Sequence, residues 1–298
     1  HSFPTRRSSD LVDGTFSMSN STVSSCQAAD TGGGIYLFLA VASVTNSNVS
    51  DNLALGNAGG VYMGESIFSG DNLTMIRNTA DGIGGGIHIE AASTFAISNA
   101  SFIQNRGDFG GAVLVLGNSS GLLSDTYAYN NSALTSGGVV YVEVSDVTVN
   151  GGRFLDNRAF YGAGFTCFNG RLTVYNSELI NGTSTDAGGA ITGAEECFVV
   201  VQNSTFLANT AEVGGGIYLS PAHFWGKNVS IIDSTATEGG GVYANESSSF
   251  LCSGCQFRNN LAASKGGAVF LEADTTQFLA FQFDDCRFRN NRAVLGGA

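Results

Sequence analysis

The chain repeats one short pattern eleven times: a doublet of small residues, usually glycines, followed by a short β-branched or aromatic strand. The residue just before each strand is in turn Gly34, Gly60, Gly86, Ala112, Val139, Gly164, Ala190, Gly216, Gly241, Ala268 and Ala298. These positions are 25 to 30 residues apart, with a mean of 264/10, or 26.4. Because units that recur at such a period stack on their neighbours, the sequence predicts one elongated array of coils.

Within one period, alternating apolar and polar residues predict three short strands and three turns. In residues 84–112 the expected strands are Ile87–Glu90, Thr94–Ile97 and a third run at Phe102. Three strands in about 26 residues are typical of a parallel β-helix, in which each coil pairs with the coils above and below it. The predicted fold is an all-β, single-stranded parallel β-helix of about ten to eleven coils.

Stacking the coils aligns equivalent residues into columns. The first residue after the small doublet is almost always apolar, and so is the residue two further on, so both columns are expected to face inward. The first of these columns holds Ile35, Val61, Ile87, Val113, Val140, Phe165, Ile191, Ile217, Val242 and Val269. A third inward column is predicted at Val23, Val49, Met75, Phe102, Tyr127, Phe154, Leu179, Phe206, Ile231, Phe257 and Phe288.

Asparagine fills two columns that flank the third inward column. Three residues after it stand Asn52, Asn78, Asn105, Asn130, Asn157, Asn209, Asn260 and Asn291. Three residues before it stand Asn20, Asn46, Asn72, Asn99, Asn176, Asn203 and Asn228, with Ser124, Gly151, Gly254 and Asp285 at the remaining places. Asparagine tolerates left-handed backbone, and its amide can bond to an asparagine one coil away. Both columns are therefore interpreted as structural corners.

The second residue after the small doublet lies between two inward positions and is therefore expected to face outward. This column is rich in aromatic residues. It predicts two exposed aromatic strips, a candidate binding ladder for a sugar or another protein, at Tyr36, Tyr62, Tyr218, Tyr243 and Phe270. The alternative is that these rings only stabilise neighbouring parallel strands by stacking.

Composition limits the classes of partner. The formal net charge is −12, which disfavours nucleic acid and anionic membrane surfaces as partners. No apolar run reaches the roughly 18 residues that a membrane-spanning helix needs. The expected partner is a surface protein or a glycan, which the outward aromatic column favours.

Six cysteines are few for a disulfide scaffold. Cys255 and Cys286 both stand two residues before a phenylalanine, so they should be neighbours in adjacent coils at a separation that a disulfide tolerates. A disulfide between them is one possibility, and a pair of buried thiols is the other. Cys252 and Cys255 have the spacing of a metal-binding pair, but no second pair or histidine cluster completes a zinc site.

A polysaccharide lyase or hydrolase would need clustered carboxylates together with cations that stabilise developing charge. The carboxylate pairs are Asp284–Asp285, of which Asp285 occupies a corner position, and Glu195–Glu196, which is expected in a turn. The chain has two lysines, and His88 and His223 are expected on the surface and in a turn. Neither histidine has a visible nucleophile partner, so no catalytic residue, metal or cofactor is predicted.

The combination of a Gly-Gly-Ala-aliphatic string with a Phe-x-x-Asn string resembles the repeat of the chlamydial polymorphic outer-membrane proteins, which share the pectin-lyase-like right-handed β-helix. Strings of the second kind begin at Phe102, Phe154, Phe206, Phe257 and Phe288. The resemblance covers residues of about 20–298 and implies a right-handed β-helix that is exported as an adhesive passenger. The expected role is a non-catalytic, secreted or cell-surface stalk, on the outer membrane in a bacterial host. The alternative is a carbohydrate-active enzyme whose active site lies outside this segment.

Two stretches depart from the repeat. Residues 1–11 read HSFPTRRSSDL, which resembles a translated sequencing adapter, so the native repeat domain is taken as residues 12–298 and is expected to be cut at both ends. The last interval is 30 residues long, which predicts a loop near Ala273 to Gln277.

Overall fold

The computed structural model describes residues 9–245, 247–272 and 280–297. All regular secondary structure in these ranges is β-strand, and every pair of neighbouring strands is parallel. The predicted loop at Ala273 to Gln277 lies outside the described residues.

The strands are numbered in chain order. Those before residue 137 are β1 (Ser9–Ser19), β2 (Thr22–Ser24), β3 (Gln27–Ala28), β4 (Ile35–Ser50), β5 (Leu53–Ala54), β6 (Val61–Gly64), β7 (Ile67–Ile76), β8 (Thr79–Ala80), β9 (Ile87–Glu90), β10 (Thr94–Ser98), β11 (Ser101–Ile103), β12 (Arg106–Phe109), β13 (Val113–Val115), β14 (Ser120–Tyr129) and β15 (Ser132–Ser136). Those between residues 140 and 227 are β16 (Val140–Glu143), β17 (Asp146–Leu155), β18 (Arg158–Tyr161), β19 (Phe165–Phe168), β20 (Arg171–Ile180), β21 (Thr183–Ala187), β22 (Ile191–Gln202), β23 (Thr205–Leu207) and β24 (Ile217–Lys227). The last are β25 (Ser230–Ile232), β26 (Thr235–Glu238), β27 (Val242–Asn245), β28 (Ser249–Ser253), β29 (Gln256–Arg258), β30 (Leu261–Lys265), β31 (Val269–Glu272), β32 (Phe281–Asp284) and β33 (Arg287–Arg289).

One coil contains four strand segments, one more than the sequence predicted. The coil that starts at Gly84 holds β9, β10 and β11 at the expected places, and β12 follows them before the next glycine turn. Equivalents of β12 stack as β3, β5, β8, β12, β15, β18 and β21 in a sheet of their own. The sequence predicted no strand between the third run, at Phe102, and the next glycine turn.

Like residues stack on like residues, as predicted. The first inward column is continuous: Ile35 pairs with Val61, and the pairing continues coil by coil to Val242 with Val269. In the third inward column, Phe206 and Phe257 lie two coils apart on either side of Ile231, and all three are buried. These columns form one apolar core along the axis of the solenoid.

One register prediction was wrong by a residue. Phe102 and Phe154 both pair with Ala128, whereas Tyr127 points outward and is 39% exposed. The same slip moves the buried asparagine from Asn130 to Asn131, and the corner position from Ser124 to Asp125. The third inward column therefore holds a buried alanine between two buried phenylalanines.

The asparagine column that follows the third inward column is an internal hydrogen-bonded ladder. Asn78 Nδ2 donates to Asn105 Oδ1 at 3.0 Å, and Asn105 Nδ2 donates to Asn131 Oδ1 at 3.0 Å. Each of these oxygens also accepts from the backbone N–H of the preceding asparagine in the ladder. Asn78, Asn105 and Asn131 are fully buried, so their polar groups require these partners.

Residues in left-handed backbone form the corners. The predicted corner asparagines have φ near +50°, among them Asn46, Asn72 and Asn99. At the glycine turn, Gly110 has φ +61°, and a methyl group at Gly111 would overlap the carbonyl oxygens of Gly138 and Ser132. The first glycine of the doublet therefore adopts the left-handed backbone conformation, and the second allows the next coil to approach closely.

The strand β1 begins at Ser9, inside the segment that the sequence analysis set apart as adapter-derived. Its residues continue the columns, since Asp10 pairs with Tyr36 and Leu11 with Leu37. Leu11 packs against the core. The origin of residues 1–11 stays a prediction.

Candidate functional site

The predicted binding ladder is formed as two stacks of rings. Tyr36 and Tyr62 are parallel, with centroids 4.8 Å apart. Tyr218 and Tyr243 are parallel at 5.5 Å, and Phe270 follows Tyr243 at 5.5 Å with a tilt of 51°. In-register pairing of the parallel strands places these side chains directly above one another.

The predicted exposure of these strips was wrong. Tyr62 and Tyr243 are buried, at 8% and 6% exposure, and Tyr36, Tyr218 and Phe270 are half-buried. Between the two stacks the column is also buried, at His88, Leu114, Tyr141, Thr166 and Thr192.

At Tyr141, Thr166 and Thr192, the strand that precedes the glycine turn covers this column. The ring of Phe109, in β12, meets the ring of Tyr141 edge-on at 5.1 Å. Thr166 Oγ1 donates to the carbonyl oxygen of Tyr161, in β18, at 3.1 Å. Thr192 makes the same contact with Ala187 at 3.0 Å. The column thus points away from the core, but it packs against the strand that precedes the glycine turn.

Glutamate carboxylates accept hydrogen bonds from the tyrosine hydroxyls of this column. Tyr62 Oη donates to Glu90 Oε1 at 2.6 Å, and His88 Nε2 lies 3.0 Å from Glu90 Oε2. The hydrogen bond from His88 lowers the pKa of Glu90 to about 2. Burial acts in the opposite direction, and the hydrogen bond from Tyr62 adds to the lowering. Burial, together with the Glu90 carboxylate, raises the pKa of Tyr62 above its usual range. The hydroxyl therefore remains a protonated donor to an ionised carboxylate.

The same arrangement recurs along the column. Tyr141 Oη donates to Glu143 Oε2 at 3.1 Å, and Tyr243 Oη donates to Glu272 Oε2. Burial raises the pKa of both hydroxyls. These repeated Tyr–Glu pairs favour the structural interpretation of the ladder, since each acidic group already has a partner one or two residues away or on the next coil.

Both histidines differ from the sequence-based expectation. His88 is 1% exposed, so it is not a surface imidazole, and its Nδ1 has no hydrogen-bond partner among the described side chains and backbone. His223 lies in the middle of β24 and not in a turn. Its Nδ1 is 2.9 Å from Ser249 Oγ and its Nε2 is 3.2 Å from Glu196 Oε2.

A second group of side chains is more exposed than the predicted ladder. We call it the Phe198 patch: Arg171, Glu196, Phe198, His223 and Trp225, on the neighbouring strands β20, β22 and β24. Phe198 and Trp225 are 47% and 40% exposed. The ring of Phe198 lies 4.7 Å from the ring of His223, and the guanidinium of Arg171 lies 5.5 Å above Phe198. The patch therefore combines flat aromatic faces with hydrogen-bonding groups of positive and negative charge.

Sequence analysis missed the Phe198 patch, although a signal was present. Ala222, Phe224 and Gly226 alternate as inward residues, and this alternation would have placed His223 and Trp225 outward on one strand. This placement was not made, because the prediction put a turn around His223 where the structure has a continuous strand. Glu195 and Glu196 lie at a β-bulge within β22, with φ of +51° and +64°, and not in the turn expected for them.

Comparison with known proteins supports the fold directly. A family model described as a right-handed β-helix region matches residues 66–224, more than half of the chain. The chain belongs to the right-handed β-helix family. A model of the Chlamydia polymorphic membrane protein repeat matches residues 254–272, which contain the predicted Phe257–Asn260 string and the following Gly-Gly-Ala turn. No curated protein and no solved structure matches the chain.

The cysteines of this β-helix pair differently from the prediction. Cys255 is bonded to Cys252, three residues earlier, and not to Cys286. A second disulfide joins Cys167 and Cys197, in successive coils. Cys286 carries a free thiol, as does Cys26. The sequence alone could not indicate whether Cys252 or Cys286 is the disulfide partner of Cys255, since both are expected close enough to bond with it.

Across the described part of the β-helix, no helix is long and apolar enough to cross a membrane.

Proposed function

We propose that this β-helix is a non-catalytic rod of a secreted or cell-surface protein, and that it displays a binding face for a carbohydrate. The observation that carries the proposal is the Phe198 patch, in which exposed aromatic faces stand beside polar groups on a rigid sheet. The match to a surface-protein repeat over residues 254–272 supports the proposed location.

A sugar ring has apolar C–H faces and polar edges, so it suits an aromatic surface with hydrogen-bonding neighbours. Strands β22 and β24 place Phe198 and His223 directly opposite each other. Trp225 is two residues further along and lies on the same face of the sheet. Arg171 and Glu196 can act as donor and acceptor at the margin of the rings.

Three carboxylates of the sheet surface already have partners, which supports a non-catalytic role for these three. Glu90 and Glu272 hold tyrosine hydroxyls, and Glu178 forms an ion pair with Arg153. A general acid or base has to contact its substrate, and these groups are already used within the ladders.

The test is binding of the fluorescently labelled whole chain to a glycan array, repeated with a Phe198→Ser/Trp225→Ser double variant. Loss of two aromatic contacts, each contributing about 1 kcal/mol, should weaken binding at least tenfold. Ile67→Ser is the matched control, because Ile67 is also an exposed apolar residue of the sheet surface, at 56%, and lies several coils away.

Other outcomes decide between the alternatives. If Tyr218→Ser removes binding and the double variant does not, the binding site is the tyrosine ladder. If the array shows no sugar but a surface protein is captured with the same dependence on the patch, the ligand class is wrong. Release of new reducing ends or unsaturated sugars from a bound glycan would contradict the non-catalytic role and favour the carbohydrate-active enzyme.

A further inference from the structure

Three cysteine sulfurs lie together where the coil containing β28 and β29 meets the coil containing β32 and β33. The Sγ atoms of Cys252, Cys255 and Cys286 all lie within 4.8 Å of one another. Two of them, Cys252 and Cys255, form a disulfide with Cα atoms 6.0 Å apart, and both residues are buried. The third, Cys286, is a free, partly buried thiol.

Strand register places Cys286 beside Cys255. Gln256 pairs with Arg287, and Arg287 N donates to the carbonyl oxygen of Cys255 at 2.8 Å. The residues just before this pair are Cys255 and Cys286, so they are neighbours on adjacent coils. Parallel neighbours are about 4.8 Å apart, within the range of about 4.4–6.8 Å between Cα atoms that a disulfide tolerates. Cys255 therefore has two possible partners, one within its own coil and one on the next.

We propose that Cys286 and the Cys252–Cys255 disulfide form an internal thiol–disulfide exchange site. The thiolate of Cys286 attacks Cys255 Sγ, a Cys255–Cys286 bond forms, and the Cys252–Cys255 bond breaks. The electron pair leaves on Cys252, which takes up the proton that Cys286 gave to the solvent. The number of disulfides and thiols is unchanged, so the step consumes no oxidant or reductant.

The exchange converts a link within one coil into a link between two coils. The Cys252–Cys255 disulfide closes a segment with a sequence separation of 3, whereas a Cys255–Cys286 disulfide would close one of 31 residues. Because the constraint on the unfolded chain grows with the length of the closed loop, the second link should hold the coil that carries Phe288 more firmly.

The resting state is the thiol of Cys286. Its burial, together with the nearby carboxylates of Asp284 and Asp285, raises the pKa of this thiol above its usual value. The thiol lies 3.3 Å from the carbonyl oxygens of Cys252 and Asp284, to which it can donate. Exchange then starts from a small thiolate fraction, and we expect it to take minutes to hours.

Tryptic mapping separates the two states without ambiguity. Cleavage after Lys227 and Arg258 leaves Cys252 and Cys255 in one peptide, and cleavage after Lys265 and Arg287 leaves Cys286 in another. Exchange therefore changes a disulfide inside one peptide into a cross-link between two peptides. The whole chain is incubated at pH 8.5, quenched in acid, alkylated, and digested from the monomer band of a non-reducing gel.

We expect the cross-linked peptide pair to increase with time, at least tenfold above its level in a Cys286→Ser variant, together with equal alkylation of Cys252. Cys26→Ser, which removes the other free thiol, should leave the cross-link unchanged. In a Cys252→Ser variant treated with glutathione disulfide, the cross-link should become the main product.

Absence of the cross-linked pair in the wild type after a day would overturn the proposal, whether or not the Cys252→Ser variant folds.

Discussion

The asparagine ladder allows a prediction in which two adjacent residues should behave in opposite ways. Asn131 is fully buried, and its side chain makes four hydrogen bonds. Nδ2 donates to the carbonyl oxygen of Phe102 at 2.9 Å and to Asn157 Oδ1 at 3.1 Å. Oδ1 accepts from the backbone N–H of Asn105 at 2.9 Å and from its Nδ2 at 3.0 Å.

Asn131→Ala removes all four bonds. At about 1 kcal/mol each, the loss amounts to about 4 kcal/mol of the free energy of unfolding. The backbone N–H of Asn105 loses its acceptor in a buried place, which adds to the cost unless water enters. Asn105 Nδ2 keeps its bond to the carbonyl oxygen of Met75, at 2.9 Å, so the neighbouring amide stays partly satisfied. We therefore expect a loss of about 4 kcal/mol or more.

Asn130 is the matched control, because it has the same side chain one residue earlier. It lies in left-handed backbone with φ +53° and is half-buried. Asn130→Gly removes the side chain without creating backbone strain, so the expected change is within about 0.5 kcal/mol. Asn130→Ala should cost about 1 kcal/mol more, since alanine is disfavoured in the left-handed region.

Urea unfolding followed by circular dichroism measures the global change, and amide hydrogen exchange measures the local one. Exchange should accelerate at Asn105 in the Asn131→Ala variant and stay unchanged in the Asn130→Gly variant. Equal losses of stability in the two variants, or a loss under about 1 kcal/mol for Asn131→Ala, would refute the assignment of Asn131 to the ladder.

Three further predictions concern pH, the glycine turn and the disulfide between coils. Glu90 has a pKa of about 2 in the folded protein, beside His88, against 4.5 ordinarily. Its ionised form therefore adds stability that is complete above pH 4.5 and is lost as the pH falls towards 2. After a discount for solvent exposure the loss is about 1–2 kcal/mol, and Glu90→Gln should remove this pH dependence from urea unfolding curves. Gly111→Ala should cost about 1–3 kcal/mol by overlap with the next coil, and an unchanged urea midpoint would contradict the close approach. The disulfide Cys167–Cys197 spans 30 residues, so replacing both cysteines with alanine should cost about 3 kcal/mol in the same assay, and a loss under 1 kcal/mol would count against a constraint of that length.

The sequence was sufficient to predict the fold and most of the register, because the glycine turn marks each coil independently. Counting from Gly34, Gly60 and Gly86 aligns Ile35, Val61 and the later members of the column without reference to any other residue. An error in one coil is corrected at the next turn. This is why the slip at Tyr127 did not propagate to Phe154.

The slip itself has a local cause. The coil that begins after Ala112 has one residue more than its predecessor, and the structure places the extra residue between Ala133 and Ser136, where the pairing of β12 with β15 shifts by one. The sequence analysis placed it incorrectly, because Tyr127 looked more suitable for an apolar column than Ala128. Size gave a false signal there, since the structure buries Ala128 between the phenylalanines at 102 and 154.

Burial of the outward column could not be predicted from alternation alone. Alternation indicates which side of a strand a residue occupies, but it does not indicate whether another strand covers that side. The covering strand at Arg106–Phe109 is four residues long and largely polar, so its sequence resembles a loop. Alternation therefore gave no signal that Tyr62 and Tyr243 would be buried.

In a stacked ladder, each side chain is constrained by the residues above and below it, so a residue unlike its column calls for its own explanation. Thr173, Val200, Trp225 and Leu251 occupy one outward column on β20, β22, β24 and β28. Trp225 is the one tryptophan of the chain and remains 40% exposed, so core packing does not account for it. A large ring left open to solvent adds nothing to the repeat, and the proposed carbohydrate binding would account for its presence. Under the proposed carbohydrate-binding role, Trp225 is the member of the Phe198 patch whose departure from its column on a neighbouring strand calls for a ligand.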